Sequence, residues 1–189
     1  AIKYGDRQSY VSLEQMFEET AIYEASRAVI SKILMPQINI EHVSLTPKDN
    51  HEHFISHNYS DVQENMTVKD FRDKICVSLA GRAAQIKNFG EIEGLDSGAS
   101  NDLQQATRDA YVAIAHYGMD KEVGYINLNG VMDAQKKSRS SKDTEHYHEK
   151  IDGALERWML EGEKNVTNLV NKHWEKIESL SKLLLEKEI

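Results

Sequence analysis

The sequence has one cysteine, two prolines and ten glycines in 189 residues. A single thiol cannot form an internal disulfide, so no covalent staple frames the fold. Cys76 stands in the apolar stretch Ile75-Cys76-Val77 and reads as a small buried hydrophobe rather than a catalytic thiol. So few prolines permit long uninterrupted helices. No run approaches the roughly 18 apolar residues of a membrane helix, and no signal-peptide pattern opens the chain. The reading is a soluble piece, and the missing initial methionine fits an excised or processed fragment. Basic charge is also short. The formal net charge is -8, which opposes nucleic acid and anionic lipid. Lys136-Lys137-Ser138-Arg139 reads as a solvated loop, not a binding patch.

What is present suits one globular domain. Hydrophobic residues make up 40% and charged residues 29%, enough apolar content for a core. Ser12-Leu13-Glu14-Gln15 reads as a capping box opening a helix that Pro36 ends. Ile38 to Leu45 partly alternates and reads as a strand, with a returning strand near 54–59. Thr67 opens a second helix reaching about Phe89, followed by a glycine-punctuated loop over 90–98. A third helix is expected from Ser100 to Tyr117, stopped by Gly118. Residues 119–139 read as irregular, with a strand candidate at 125–128. From about Lys142 the pattern is helical and charged, with a break expected near Gly153 or Gly162. Its apolar positions, among them Trp158, Val170, Trp174, Ile177 and Leu184, recur at helical spacing and read as core. The fold class is therefore mainly α, a helical bundle with a small β-sheet or hairpin.

Three segments carry a resemblance. They are Thr20-Ala21-Ile22-Tyr23-Glu24-Ala25-Ser26-Arg27, then Leu79-Ala80-Gly81-Arg82-Ala83-Ala84, then Ser97-Gly98-Ala99-Ser100-Asn101-Asp102-Leu103 with Ala106-Thr107. In order and spacing they resemble the peptidase unit of FtsH-type proteases. That unit has a helical His-Glu-x-x-His, a strand, a Gly-Gly-Arg-x-Ala-Glu helix, a Gly-Ala-x-Asn-Asp-Leu-x-x-Ala-Thr helix and a helical tail. The third segment is the most specific. The resemblance implies one peptidase domain over residues 1–189, with a long helical tail over about 142–189. No ATPase module or transmembrane segment is evident in this stretch.

Histidines at i and i+4 share a helical face and can reach one Zn²⁺, while the glutamate between them activates its water. The resemblance places Tyr23 and Arg27 at the two histidine positions, Glu24 at the base position and Asp102 at the third-ligand position. Neutral tyrosine is a poor zinc ligand, and a guanidinium has no lone pair to give. Gln85 stands where the family motif carries a glutamate. Zinc is the family cofactor, but this chain is expected to hold none. ATP enters only through a module elsewhere in a parent protein. Arg27 is expected to pair with Asp102, with Glu24 as a second candidate partner, as a cross-link in place of the metal.

Three functions remain open at this point. One is a pseudoprotease module serving assembly or substrate handling in an ATP-dependent membrane protease. Its partners would be FtsH-like subunits, hexameric in the family, and polypeptides. Another is an active metallopeptidase with a non-standard site drawn from His51, His53 or His57. The third is a regulatory binding domain. The sequence assigns no compartment. His116, His146, His148 and His173 read as structural or surface residues.

Overall fold

The computed structural model describes residues 13–45, 55–58, 65–138 and 142–188. Helix α1 spans Leu13–Leu34 and ends two residues before Pro36, whose ring cannot continue a helix. Ser12, the expected cap, lies outside the described residues. Strands β1 (Asn39–Val43) and β2 (Ile55–Asn58) form the expected antiparallel hairpin, with an irregularity between Ile40 and His42.

Helix α2 spans Val68–Glu93. Thr67 caps it through a capping box: Asp70 N–H donates to Thr67 Oγ1 at 3.3 Å, and Thr67 N–H donates to Asp70 Oδ2 at 2.7 Å. The helix runs four residues past the expected end at Phe89. Gly90, at φ 82°, absorbs a kink that other residues adopt only with strain.

Helix α3 spans Ser100–Tyr111 and continues as a π-helical turn over Val112–His116. Gly118 then reverses the chain at φ 60°. The strand expected at 125–128 is not there. Tyr125 is fully exposed, and Asn127 instead caps the next helix, its Oδ1 accepting from Asn129 N–H at 3.0 Å. With no neighbouring strand among the described residues to pair with, the short run Tyr125-Ile126-Asn127-Leu128 has nothing to hold it extended. Helix α4, Leu128–Ser138, follows. The basic cluster expected as loop therefore begins in a helix.

Helix α5 runs Lys142–Lys172, and α6 runs Trp174–Glu188. The expected break at Gly153 or Gly162 falls at His173 instead. Gly162 serves close packing: a Cβ there would meet Ile75 Cγ2 at 2.8 Å. The loop after α3 is pinned to α5 by Asp120, which accepts from Trp158 Nε1 at 2.8 Å and from Arg157 Nη2 at 2.9 Å.

Helix α1 packs against α2 and α6, while α2 also meets α3 and α5. The central position of α1 explains its burial on several sides, at Ala21, Ala25, Ser26, Ile30 and Ser31. Trp158, Val166, Val170 and Ile177 bring the tail into the same core. Cys76 is buried, as read from its neighbours, and burial pushes its thiol up to about 11, so it stays protonated at neutral pH. No helix among the described residues is long and apolar enough to cross a membrane.

Candidate functional site

Helices α1, α2 and α3 enclose a cleft of about 780 Å³. Helical spacing explains its first wall. Tyr23, Glu24 and Arg27 lie within one and a half turns of α1, so positions 23 and 27 share a face and 24 borders it. Asp102 projects from the first turn of α3. The bundle brings these four side chains together across 75 residues of sequence separation or more.

Their contacts form one network. Arg27 Nη2 lies 3.3 Å from Asp102 Oδ1, and Arg27 Nη1 lies 3.3 Å from Glu24 Oε2. Tyr23 donates its hydroxyl proton to the other oxygen of the same aspartate, Asp102 Oδ2. The guanidinium also stands over the Tyr23 ring, 5.9 Å from its centroid. Ser26 donates to the Tyr23 carbonyl at 2.7 Å. Each carboxylate thus meets the guanidinium through a different nitrogen, and Asp102 spends its second oxygen on a phenol.

Protonation follows from this arrangement. Burial, then the negative charge of Asp102, drives the Tyr23 phenol far up, so it remains a donor at any physiological pH. Burial also pushes Glu24 up to about 7, with Arg27 pulling the other way and Asp102 adding to the rise. Glu24 is therefore partly protonated at neutrality.

The second wall comes from α2. Gly81 leaves room for Tyr23: a Cβ at residue 81 would lie 2.4 Å from Tyr23 Cε2. One turn on, Gln85 is buried and donates from Nε2 to Asp96 Oδ2 at 3.2 Å. Asp96 Oδ1 in turn accepts from Gly98 N–H at 2.7 Å, fixing the loop that leads into α3. At the far end, Lys74 Nζ lies 3.7 Å from Asp109 Oδ1.

The sequence reading missed Lys74 and Asp109. A signal existed for Asp109: it falls seven residues, two helical turns, after Asp102, on the same face. His51 and His53 lie outside the described residues, and His57 falls on β2 with its side chain outside them. His146 and His148 are exposed on α5, and His116 and His173 are partly exposed. Among the described residues, no group of three or more His, Cys, Asp or Glu side chains is arranged to hold a metal ion.

Residues 11–189 match the sequence family described as Peptidase family M41. The chain is 27% identical over 175 residues to the ATP-dependent zinc metalloprotease FtsH of Rhodothermus marinus, covering 91% of this chain and 24% of that protein. It is 31% identical over 124 residues to the mitochondrial ATP-dependent zinc metalloprotease FTSH 10 of Arabidopsis thaliana, covering 66% of this chain and 14% of that protein. With FtsH 3 of Symbiobacterium thermophilum the identity is 24% over 187 residues, 97% of this chain and 29% of that protein. The chain thus spans less than a third of the length of these relatives.

Proposed function

The chain belongs to peptidase family M41, and we propose that it is a non-catalytic member in which Arg27 takes the place of the zinc ion. It then acts as a pseudoprotease, an assembly or substrate-handling module of an ATP-dependent protease. The observation that carries the reading is the guanidinium set 3.3 Å from both Glu24 and Asp102.

The residues of the cleft do not fit zinc. A zinc ion needs three or four lone-pair donors converging at about 2 Å. Here both carboxylates are already engaged by a cation, and Asp102 also accepts from the Tyr23 phenol, whose proton burial holds in place. Arg27 brings positive charge where a dication would sit, and no lone pair. One fixed cation thus ties α1 to α3, the structural part of what a metal does.

The relatives named above are zinc metalloproteases and ATP-dependent, by their names. On that likeness, the reading gives the chain ATPase-bearing subunits as its working partners. The cleft then holds polypeptide without cutting it.

Metal analysis of the purified chain, joined to an assay of unfolded-protein cleavage, tests the reading. The expected result is no stoichiometric zinc and no cleavage. Zinc-dependent cleavage that is lost in Glu24→Gln would overturn it. Cleavage that survives Glu24→Gln would instead point to a metal site elsewhere, with His51, His53 and His57 the candidates.

A further inference from the structure

Asp102 carries one end of the Arg27 cross-link, yet no capping side chain fixes the start of its helix. Ala99 stands at the N-cap position of α3 and offers no side-chain acceptor to the free N–H groups of the first turn. The loop before the helix does that work. Asp96 Oδ1 accepts from Gly98 N–H at 2.7 Å, and Ser100 N–H donates to the Ser97 carbonyl at 3.2 Å, so residues 96–100 close into one turn. Leu103 N–H then donates to the Ala99 carbonyl at 2.9 Å, and Asp102 lies within that first helical turn.

That turn is moored to α2 at Gln85. Its Nε2 donates to Asp96 Oδ2 at 3.2 Å, leaving the other oxygen of the same carboxylate to hold Gly98. The loop backbone also lies directly on the helix at this residue: a Cβ on Gly94 would meet the Gln85 carbonyl oxygen at 2.5 Å. Gly94 and Gln85 are buried while Asp96 is exposed, so the amide is the inner end of the mooring.

Keeping an amide there has a cost. Gln85 is 5% exposed, and its Oε1 has no hydrogen-bond partner among the described residues. Turning the amide over would set Oε1 against a carboxylate oxygen, and both can only accept. Met has the same length and would leave no buried oxygen unpaired. Glu has the same length and would set a second negative charge against Asp96. Of the three, only Gln offers Asp96 a neutral donor, and the donor is what the loop uses.

We propose that Gln85 is a positioning residue for Asp102. By holding Asp96 it fixes the turn that starts α3, and so sets the Asp102 carboxylate where the Arg27 guanidinium and the Tyr23 hydroxyl meet it. This deepens the reading of Arg27 as the cross-link between α1 and α3, and rests on it.

The test compares the full chain with Gln85→Glu, Gln85→Met, Asp96→Asn and the double variant Gln85→Glu with Asp96→Asn. Thermal unfolding reads stability. The carbon-13 NMR shift of Tyr23 Cζ, assigned by its absence in Tyr23→Phe, reads the phenol bond to Asp102. Gln85→Glu and Gln85→Met are each expected to lower Tm by about 5 °C and to move the Tyr23 signal. The double variant reverses the polarity of the bond. The new amide at position 96 donates to the new carboxylate at position 85 and still accepts from Gly98 N–H. It should recover most of the lost Tm and return the Tyr23 signal to its wild-type position. Asp96→Asn alone, met by a turned Gln85 amide, should move both readouts less than Gln85→Glu does. A double variant no better than the sum of its single changes would overturn the pairing. A lowered Tm in Gln85→Glu and Gln85→Met with an unmoved Tyr23 signal would overturn the positioning role and leave Gln85 a local contact of the loop. Zinc content of the wild type, measured on the same samples, reports separately on the non-catalytic reading. A zinc-loaded wild type would defeat that reading, whereas a zinc-free wild type with an unmoved Tyr23 signal would defeat only the role of Gln85.

Discussion

The ring of Tyr23 occupies the space in which a side chain at Gly81 would begin. A Cβ on Gly81 would sit 2.4 Å from Cε2 and 2.5 Å from Cζ of that ring, well inside van der Waals contact. The glycine of the Gly-Arg-x-Ala segment on α2 and Tyr23 on α1 are thus one packing unit. The same ring carries the hydroxyl that holds Asp102, so displacing it would disturb the Arg27 network as well.

Gly81→Ala is therefore expected to cost about 1–3 kcal/mol through overpacking. Adding Tyr23→Ser should recover part of that loss, because the clash goes with the ring. Urea unfolding of the two single variants and the double variant gives the coupling, expected at about 1 kcal/mol or more. Additive losses would mean that the two residues do not share the space.

Arg27→Met leaves Glu24 and Asp102 facing each other without a cation. Removing one partner of a buried pair costs about 3–5 kcal/mol, and the lower end applies because the Arg27 side chain keeps 18% of its surface exposed. The loss should shrink at pH 5, where Glu24 is protonated. Denaturation midpoints at pH 5 and pH 8 check both statements. An unchanged midpoint at pH 8 would refute the role of Arg27 as a cross-link.

Glu24 gives a stability signal of definite sign. Its folded-state value is about 7 against 4.5 for the free side chain, so the folded state binds the proton more tightly than the unfolded chain does. The resulting stabilisation is present in full below about pH 4.5 and is lost as pH rises through about 7. Glu24→Gln cannot titrate, so its stability should gain on the wild type between pH 5 and pH 8. The gain is at most about 3 kcal/mol, the free-energy equivalent of that displacement. A difference between the two proteins that does not vary with pH would contradict the burial of this carboxylate.

Tyr23→His with Arg27→His should create a zinc site, because two imidazoles at i and i+4 would join Asp102. The double variant is expected to retain about one zinc per chain after dialysis, and the wild type none. Glu24→Gln added to it should keep the metal and lose any gained cleavage. Plasma mass spectrometry and unfolded-protein cleavage read the two effects apart.

Much of the fold was legible because its signals are local. Pro36 ends α1, Thr67 and Asp70 cap α2, and Gly118 closes the turn after α3, each acting within a few residues. The errors share a cause. The run at 125–128 has strand-forming residues but no partner strand, and Asn127 instead found the N–H groups of α4. Gly162 looked like a helix breaker, yet its missing side chain lets α5 approach Ile75. Packing decided both cases against intrinsic preference.

The candidate site divides along the same line. The resemblance implied motif positions for Tyr23, Glu24, Arg27 and Asp102, and the chemistry of phenol and guanidinium set the expectation of no metal there. Helical periodicity alone set Tyr23 and Arg27 on one face. Only the tertiary structure decided that one guanidinium reaches both carboxylates, that Gly81 makes room for Tyr23, and that Gln85 and Asp109 are buried with acceptors to spare. Spacing along a helix is a property of covalent geometry and can be read from sequence. Which side chains lose water and which partners they find depends on helices far apart in the chain, and that exists only once they pack.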